Sequence, residues 1–290
     1  MYLVTGATGQ IGRRIVRLLR ERELPIRAFV RLSSRYGELE QRGAEIFIGD
    51  LRQDKDIQKA CKGVQYIIST HGGDSAQELD YRANIELIDQ AKENGVQHFV
   101  FISVLGADRG YEDAPVFKAK RAVEKYLEAS GLNYTILQPS GLASNLIPLA
   151  EQFRQTGIYL LNGDPKNRTS IVSTDDLAQI AVDSVTVEGA RNQIFPVGGP
   201  DILKREDIPR IFGRIFNQEP IVINPPLFVF DGLRSAVGFV NPQARKALGT
   251  LRTLLGNEFY CTADEIANLE LIYNLKLESL ESFLMRYLGT

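Results

Sequence analysis

The sequence predicts an α/β protein: a doubly wound parallel sheet with a smaller, mainly helical C-terminal lobe. Three observations predict it. Short apolar runs alternate with longer segments of helical periodicity up to Pro139. A glycine-rich turn joins the first run to the first helical segment. Beyond Pro139 that rhythm gives way to loops and helices. Strands alternating with helices imply parallel pairing, right-handed crossovers and a sheet covered on both faces.

The apolar runs fall at 2–4, 26–30, 46–48, 66–69, 99–102 and 134–137. Helical segments lie near 11–21, 36–42, 54–61, 81–94 and 115–130, the second of them short. A loop at 140–145 leads to a helix near 146–155, a Gly/Asn/Asp-rich stretch at 162–168 and a short strand at 171–172. A helix over 175–185 follows, with Thr174 as its cap, then a strand at 193–197 ended by Gly198-Gly199-Pro200. Residues 204–290 read as mainly helical, interrupted at Asn224-Pro225-Pro226, where proline forbids a continuous helix. The expected division is a sheet domain over 1–145 and a lobe over 146–290 that is not independently folded. The lobe should pack at the carboxyl ends of the strands, where open α/β sheets hold ligands.

Composition narrows the function. Of 290 residues 44% are apolar, enough for a large core, and 34 basic residues balance 36 acidic ones, which argues against a nucleic-acid protein held by bulk charge. Two cysteines, Cys61 and Cys261, exclude a disulfide framework, and two histidines, His71 and His98, argue against a histidine metal site. No run of 18 apolar residues occurs, so no spanning helix is expected. The opening residues read as a strand and a turn rather than a secretory leader, so the expected compartment is cytoplasmic or stromal-type, with peripheral membrane association open.

The turn Thr5-Gly6-Ala7-Thr8-Gly9-Gln10-Ile11-Gly12 carries three glycines at intervals of three. Such a turn lets the backbone approach a pyrophosphate with no Cβ in the way and leads into a helix whose first N–H groups face the anion. Its position after a strand and before an amphipathic helix is the Rossmann context that this motif requires. Gly6, Thr8, Gly9, Gln10, Ile11 and Gly12 are therefore the expected phosphate contacts. At the end of the second strand, where NAD sites place an acidic residue, the chain has Arg31 and Arg35, and no carboxylate lies between Glu23 and Glu38. A guanidinium suits a 2′-phosphate, so NADP(H) is favoured over NAD(H); the alternative is two solvated surface charges. Asp50 and Leu51, after the third strand, either flank the adenine or serve an ordinary turn.

These features resemble the short-chain dehydrogenase/reductase superfamily, and Ser130-Gly131-Leu132-Asn133-Tyr134-Thr135-Ile136-Leu137-Gln138-Pro139-Ser140-Gly141 resembles the sixth-strand pattern of its NmrA-like, atypical branch. Val172-Ser173-Thr174-Asp175-Asp176-Leu177-Ala178, Phe195-Pro196-Val197-Gly198-Gly199 and the ending Leu280-Glu281-Ser282-Phe283-Leu284 are similar to cyanobacterial and plastid proteins that assist photosystem II assembly. The resemblance implies a Ser, Tyr and Lys set. Ser103 and Lys120 match the serine and lysine, but Val116 stands at the tyrosine position. Tyr111, in the preceding loop, is the nearest phenol that could swing in.

Lys120 also stands out without the resemblance. It lies inside the apolar stripe Val116, Ala119, Val123 and Leu127, where a charge must be desolvated or snorkel. One reading sends its ammonium to the ribose hydroxyls; the other pairs it with Glu124. Ser69, Thr70 and His71 follow the fourth strand at the same crevice; His71 is either a proton donor or a hydrogen-bonded loop residue, and His98 reads as structural. Pro139 and Ser140, with Asn145, either line the nicotinamide pocket or form a turn. The segment 221–240 holds only Asp231 and Arg234 as charges; it is lobe core, the wall of an apolar substrate pocket, or a surface for a membrane or protein partner.

The expected function is an NADP(H)-binding oxidoreductase, with Ser103 and Lys120 as its catalytic candidates, passing hydride to an apolar conjugated or carbonyl acceptor such as a quinone. The alternative is a non-catalytic NADP(H)-binding assembly factor or redox sensor that holds a pigment or a membrane-complex protein. The expected assembly is a monomer or homodimer.

Overall fold

The computed structural model describes residues 1–72, 76–111, 114–228, 232 and 242–289. Most of the expected 221–240 segment lies outside them. Six parallel strands come from the first half of the chain: β1 (Tyr2–Thr5), β2 (Ile26–Val30), β3 (Glu45–Ile48), β4 (Tyr66–Ser69), β5 (His98–Ile102) and β6 (Tyr134–Pro139). Between them run α1 (Gln10–Glu21), the short α2 (Gly37–Gln41), α3 (Asp54–Cys61), α4 (Ala83–Glu93) and α5 (Pro115–Glu128). The helix expected from residue 81 begins instead with a π-helical stretch, Ala76–Arg82, before α4.

A seventh strand, β9 (Gln193–Val197), pairs in parallel with β6 and completes the order β3-β2-β1-β4-β5-β6-β9. The sheet thus draws on both sides of the expected boundary at 145. That boundary marks where the chain first leaves the sheet. Alternation along the strands divides the core. Val4, Val30, Ile68, Val100 and Leu137 pack under α1, α7 (Thr174–Asp183) and α10 (Ala263–Tyr273). Leu3, Phe29, Ile67, Phe99 and Phe101 pack under α3, α4 and α5. Each such side chain contributes roughly 1.5–3 kcal/mol on burial.

The lobe has its own core of Phe153, Phe212 and Phe283, from α6 (Ile147–Thr156), α8 (Asp207–Phe216) and α11 (Leu280–Leu288). It also holds two short ladders that the sequence reading missed. β7 (Ile158–Leu160) pairs with β11 (Ile221–Ile223), and β8 (Arg168–Thr169) with β10 (Leu203–Lys204). Strands of two or three residues are too short to carry a period. The strand expected at 171–172 is reduced to one bridge, Val172 to Leu142. The cap of α7 is Ser173, whose hydroxyl accepts from Asp176 N; Thr174 Oγ1 accepts instead from Ser144 N. Of the apolar 221–240 segment, Ile221, Val222, Ile223 and Phe228 are exposed, so these four are not lobe core.

One carboxylate ties α1, α7 and α11 together. Asp175 accepts from Arg14 Nε and Arg17 Nη2, both at 3.0 Å, and from Arg286 Nη2 and the Tyr287 hydroxyl, both at 2.9 Å. Burial works to raise its pKa, but the bonds from Arg286 and Tyr287 and the charges of Arg14 and Arg286 hold it below the usual range. Its neighbour Asp176 goes the other way. Burial pushes it up to about 6, and the Glu278 and Asp175 charges add to this against the hydrogen bond from Glu278 N. Asp176 therefore favours folding when neutral, and that contribution is lost as pH rises from the ordinary carboxylate range through about 6. Asp176→Asn should raise the melting temperature near pH 7 by about 2–4 °C and leave it unaltered near pH 4, measured by calorimetry across pH.

Candidate functional site

The strand order reverses between β1 and β4, which opens a crevice at the carboxyl ends of the strands. A cleft of about 370 Å³ lies there. Gly6, Thr8 and Gly9 form its wall at the first turn. Gly6 has φ +68°, and a Cβ on it would come within 2.8 Å of His71 N. Gly9 is the N-cap of α1, with no side-chain cap and no acidic residue in the first turn. The first N–H groups of α1 are thereby left for an anion. Gly12 is buried behind the turn, where a Cβ would lie 2.2 Å from the Gly6 carbonyl oxygen. Ile11 is buried beside it and Gln10 is exposed, so these two contribute backbone at the start of α1 rather than cleft wall. A narrow glycine cradle over an uncapped helix start fits a pyrophosphate.

At the outer end the wall includes Val30, Arg31, Ser34, Asp50, Leu51 and Arg52. Arg31 reaches the cleft as the sequence predicts, and it meets a second guanidinium that sequence reasoning missed. Arg52 donates from Nε and Nη2 to both carboxylate oxygens of Asp50, at 3.0, 3.1 and 2.7 Å. The hydrogen bond from Arg52 lowers the Asp50 pKa against partial burial, with help from the Arg31 charge. The available signal was a cation directly after Gly49-Asp50-Leu51. Arg35 is exposed and off the wall; its carbonyl accepts from Arg13 Nη2 at 2.7 Å.

At the inner end Thr70, His71 and Gly72 line the cleft. Thr70 Oγ1 donates to the Thr5 carbonyl at 2.9 Å. His71 Nε2 lies 2.9 Å from the Leu79 carbonyl, so it carries the proton, and Nδ1 accepts from the Thr5 hydroxyl at 2.8 Å. Burial, with the Lys120 charge, pushes its pKa down to about 3. His71 is thus a neutral strut bonded at both ring nitrogens, a loop residue rather than a proton donor. Ser69 is buried behind it, its hydroxyl on Asn84 Oδ1 at 2.6 Å.

Lys120 and Ser103 are both buried and both engaged. Lys120 Nζ donates to the Ile102 carbonyl at 2.9 Å, lies 3.7 Å from Asp80 Oδ1 and sits 4.9 Å from the Phe101 ring centroid. Burial lowers its pKa, and Asp80 partly offsets this. It lies beneath the wall: a Cβ on Gly72 would be 3.9 Å from Nζ. The pairing with Glu124 expected as the alternative is not formed as a hydrogen bond; Lys120 bonds the Ile102 carbonyl instead. The fully buried Glu124 takes the Ser103 hydroxyl at 2.5 Å, Gln138 Nε2 at 2.8 Å and Arg121 Nη1 at 2.8 Å. The Ser103 hydroxyl is therefore turned to Glu124 rather than set to orient a substrate. Tyr111 packs edge-on against Phe117 at 5.3 Å and beside Phe259, and is not on the cleft wall. Pro139 and Ser140 belong to the backbone frame. The Pro139 carbonyl accepts from Leu105 N, and the Ser140 hydroxyl donates to the Ser170 carbonyl; neither residue is on the wall. His98, on the far side of the sheet, bonds Thr135 Oγ1 at 2.9 Å.

The glycine cradle, the uncapped α1 and the crevice at the strand reversal define a dinucleotide-binding protein of the doubly wound class. The profile of the family described as NAD(P)H-binding matches residues 6–188. The chain belongs to this NAD(P)H-binding family, in its NmrA-like, atypical short-chain dehydrogenase/reductase form. It is 34% identical over 213 residues to an NAD(P)H azoreductase of Xenophilus azovorans, covering 72% of this chain and 71% of the relative. It is 29% identical over 300 residues to the photosystem II assembly factor Ycf39 of Cyanophora paradoxa, covering 98% and 91%. The fold is shared with the NADPH-dependent quinone oxidoreductase QOR2 of Escherichia coli bound to NADPH, at TM-score 0.81 and 18% identity over 99% and 100% of the two chains. It is shared also with the triphenylmethane reductase of Citrobacter sp., at TM-score 0.80 and 19% identity over 100% and 99%. Among the described residues no helix is long and apolar enough to cross a membrane.

Gly12→Ala should abolish tight NADPH binding, because backbone on both sides of the contact must move; titration calorimetry checks it, with circular dichroism confirming the fold. Because His71 stays neutral down to about pH 3, NADPH affinity should show no histidine inflection between about pH 5 and 8 in fluorescence titrations.

Proposed function

We propose that this protein is an NADP(H)-dependent reductase of apolar conjugated acceptors, with quinones as the leading class and azo dyes next. The observation that carries the reading is the state of the proton-transfer groups. Val116 replaces the phenol, His71 is neutral, and Ser103 and Lys120 are committed to Glu124 and to the Ile102 carbonyl. A positioned general acid is worth roughly two to four orders of magnitude, so a carbonyl reductase without one is slow. A quinone has no such need, since its reduced anion is delocalised and takes a proton from water.

The chain's own residues divide the work. Gly6, Thr8 and Gly9 present backbone to the pyrophosphate, and Arg31 presents its guanidinium to a 2′-phosphate. Gly72 gives close backbone approach at the inner end, and the buried Lys120 lies beneath it, donating to the Ile102 carbonyl. When bound, NADPH supplies the hydride. The names of the azoreductase and of the quinone and dye reductases support the acceptor class.

A second reading is a non-catalytic assembly factor, as for photosystem II, in a cyanobacterial or plastid-type compartment. Two observations favour it: the likeness to Ycf39 runs over nearly the whole chain, and β7 and β11 expose Ile158, Leu160, Ile221 and Ile223 on the lobe. The readings part on turnover. NADPH oxidation with a small soluble quinone should run steadily, at a rate constant with no histidine inflection between about pH 5 and 8, because burial holds the His71 pKa down at about 3. Tight NADPH binding with no oxidation above background, together with co-sedimentation with a photosynthetic membrane complex, overturns the reductase. Arg31→Asp should reverse the preference for NADPH over NADH, and unaltered affinities for both refute the role of Arg31.

A further inference from the structure

The outer end of the cleft is built unevenly. Two guanidinium groups, Arg31 and Arg52, share it with Asp50, and the charge of Glu78, also on the cleft wall, reaches Arg52. The Asp50 carboxylate is hydrogen-bonded by Arg52. Arg52 donates to Asp50 through Nε, through Nη2 and through its own backbone N–H, the last at 2.9 Å. The backbone bond does not depend on where the guanidinium points. Asp50 is also held from the other side, its N–H donating to Asp56 Oδ2 at 3.0 Å. Asp50 is thus a fixed post, and the Arg52 side chain, 54% exposed, is the part free to leave it. β3, which ends just before this turn, pairs with β2 through Val30 and Ile48, so Arg31 and Arg52 leave adjacent strand ends.

We propose that Arg52 is a second determinant of cofactor choice, one that exchanges its salt bridge to Asp50 for the 2′-phosphate of NADP(H). The inference rests on the NADP(H) reading above and extends it to a residue beyond β2. In the absence of the phosphate, the Asp50 oxygens are hydrogen-bonded to Arg52, and Arg31 acts on them through its charge. A phosphomonoester carries between one and two negative charges near neutral pH, more than one guanidinium can match. Turning Arg52 from Asp50 to the phosphate supplies the second cation and keeps the backbone of the turn in place. The freed Asp50 oxygens then face the cleft as acceptors for an adenine amino group. A cofactor with a bare 2′-hydroxyl offers nothing to draw Arg52 away, and Asp50 stays occupied. The exchange therefore gives NADP(H) a second cation and a freed acceptor, at the cost of the salt bridge that the exchange breaks.

The test is the ratio of NADPH to NADH affinity, by titration calorimetry at fixed salt, in the wild type, Arg31→Ala, Arg52→Ala, Arg52→Lys and Asp50→Asn. Losing one charge-assisted contact to the phosphate should lower the ratio about tenfold in Arg52→Ala. Arg52→Lys should fall between Arg52→Ala and the wild type, since an ammonium keeps the charge and loses the fork. Asp50→Asn weakens that salt bridge and should raise the ratio. If Arg52→Ala weakens NADPH and NADH alike, Arg52 only braces the turn and the proposal is overturned. If the wild type prefers NADPH and Arg31→Ala loses that preference while Arg52→Ala keeps it, the proposal alone falls. If the wild type shows no preference, the NADP(H) reading falls and takes this one with it.

Discussion

The contact between Gly12 and the carbonyl of Gly6 is the constraint on which the site depends. It brings the first turn of α1 directly against the turn that leaves β1, with no room for a side chain between them. It sets the uncapped start of the helix, with its free N–H groups, beside that turn. The rest of α1 is held to match. Arg14 and Arg17 reach Asp175 at the head of α7, and Arg286 and Tyr287 of α11 reach the same carboxylate. The helix that meets the cofactor is thus clasped by the C-terminal part of the chain, and the position of the cradle is shared between the first residues and the last.

The inner end of the cleft follows a different logic. Ser103, Lys120 and His71 are each hydrogen-bonded within the protein, and buried groups so held are rigid but chemically quiet. Ser103 is spent on Glu124, Lys120 on the end of β5, and His71 bridges β1 to the π-helical stretch. A site arranged this way can hold a flat ring against backbone. For the reductase proposed above, the described groups offer little with which to move a proton, which suits acceptors that stabilise their own negative charge.

How much of this was legible depended on the range of the signal. The glycine turn, Arg31 and the six early strands were readable because each is written in consecutive residues or in one period. Arg52 was passed over because its importance comes from β3 lying beside β2, a fact of pairing and not of spacing. Lys120 was rightly singled out as a charge on an apolar stripe. Its partners were not readable, because Asp80 and the Ile102 carbonyl come from other elements, while Glu124, the nearer candidate in sequence, faces Ser103 and Gln138. The neutrality of His71 arises from burial, which a loop sequence does not reveal. The return of β9 to the sheet was hidden for the same reason as Arg52: five residues mark a strand but not its neighbour.

That return has a consequence for how the chain is made. β6 ends at Pro139, yet the strand that covers its outer edge begins at Gln193. During synthesis, the hydrogen-bonding rim of β6 must therefore stand open while the ribosome adds the intervening residues. At about 5–20 residues per second, that exposure lasts roughly 3–10 s. An open rim is a template for stray pairing with other nascent strands, and only the arrival of β9 closes it.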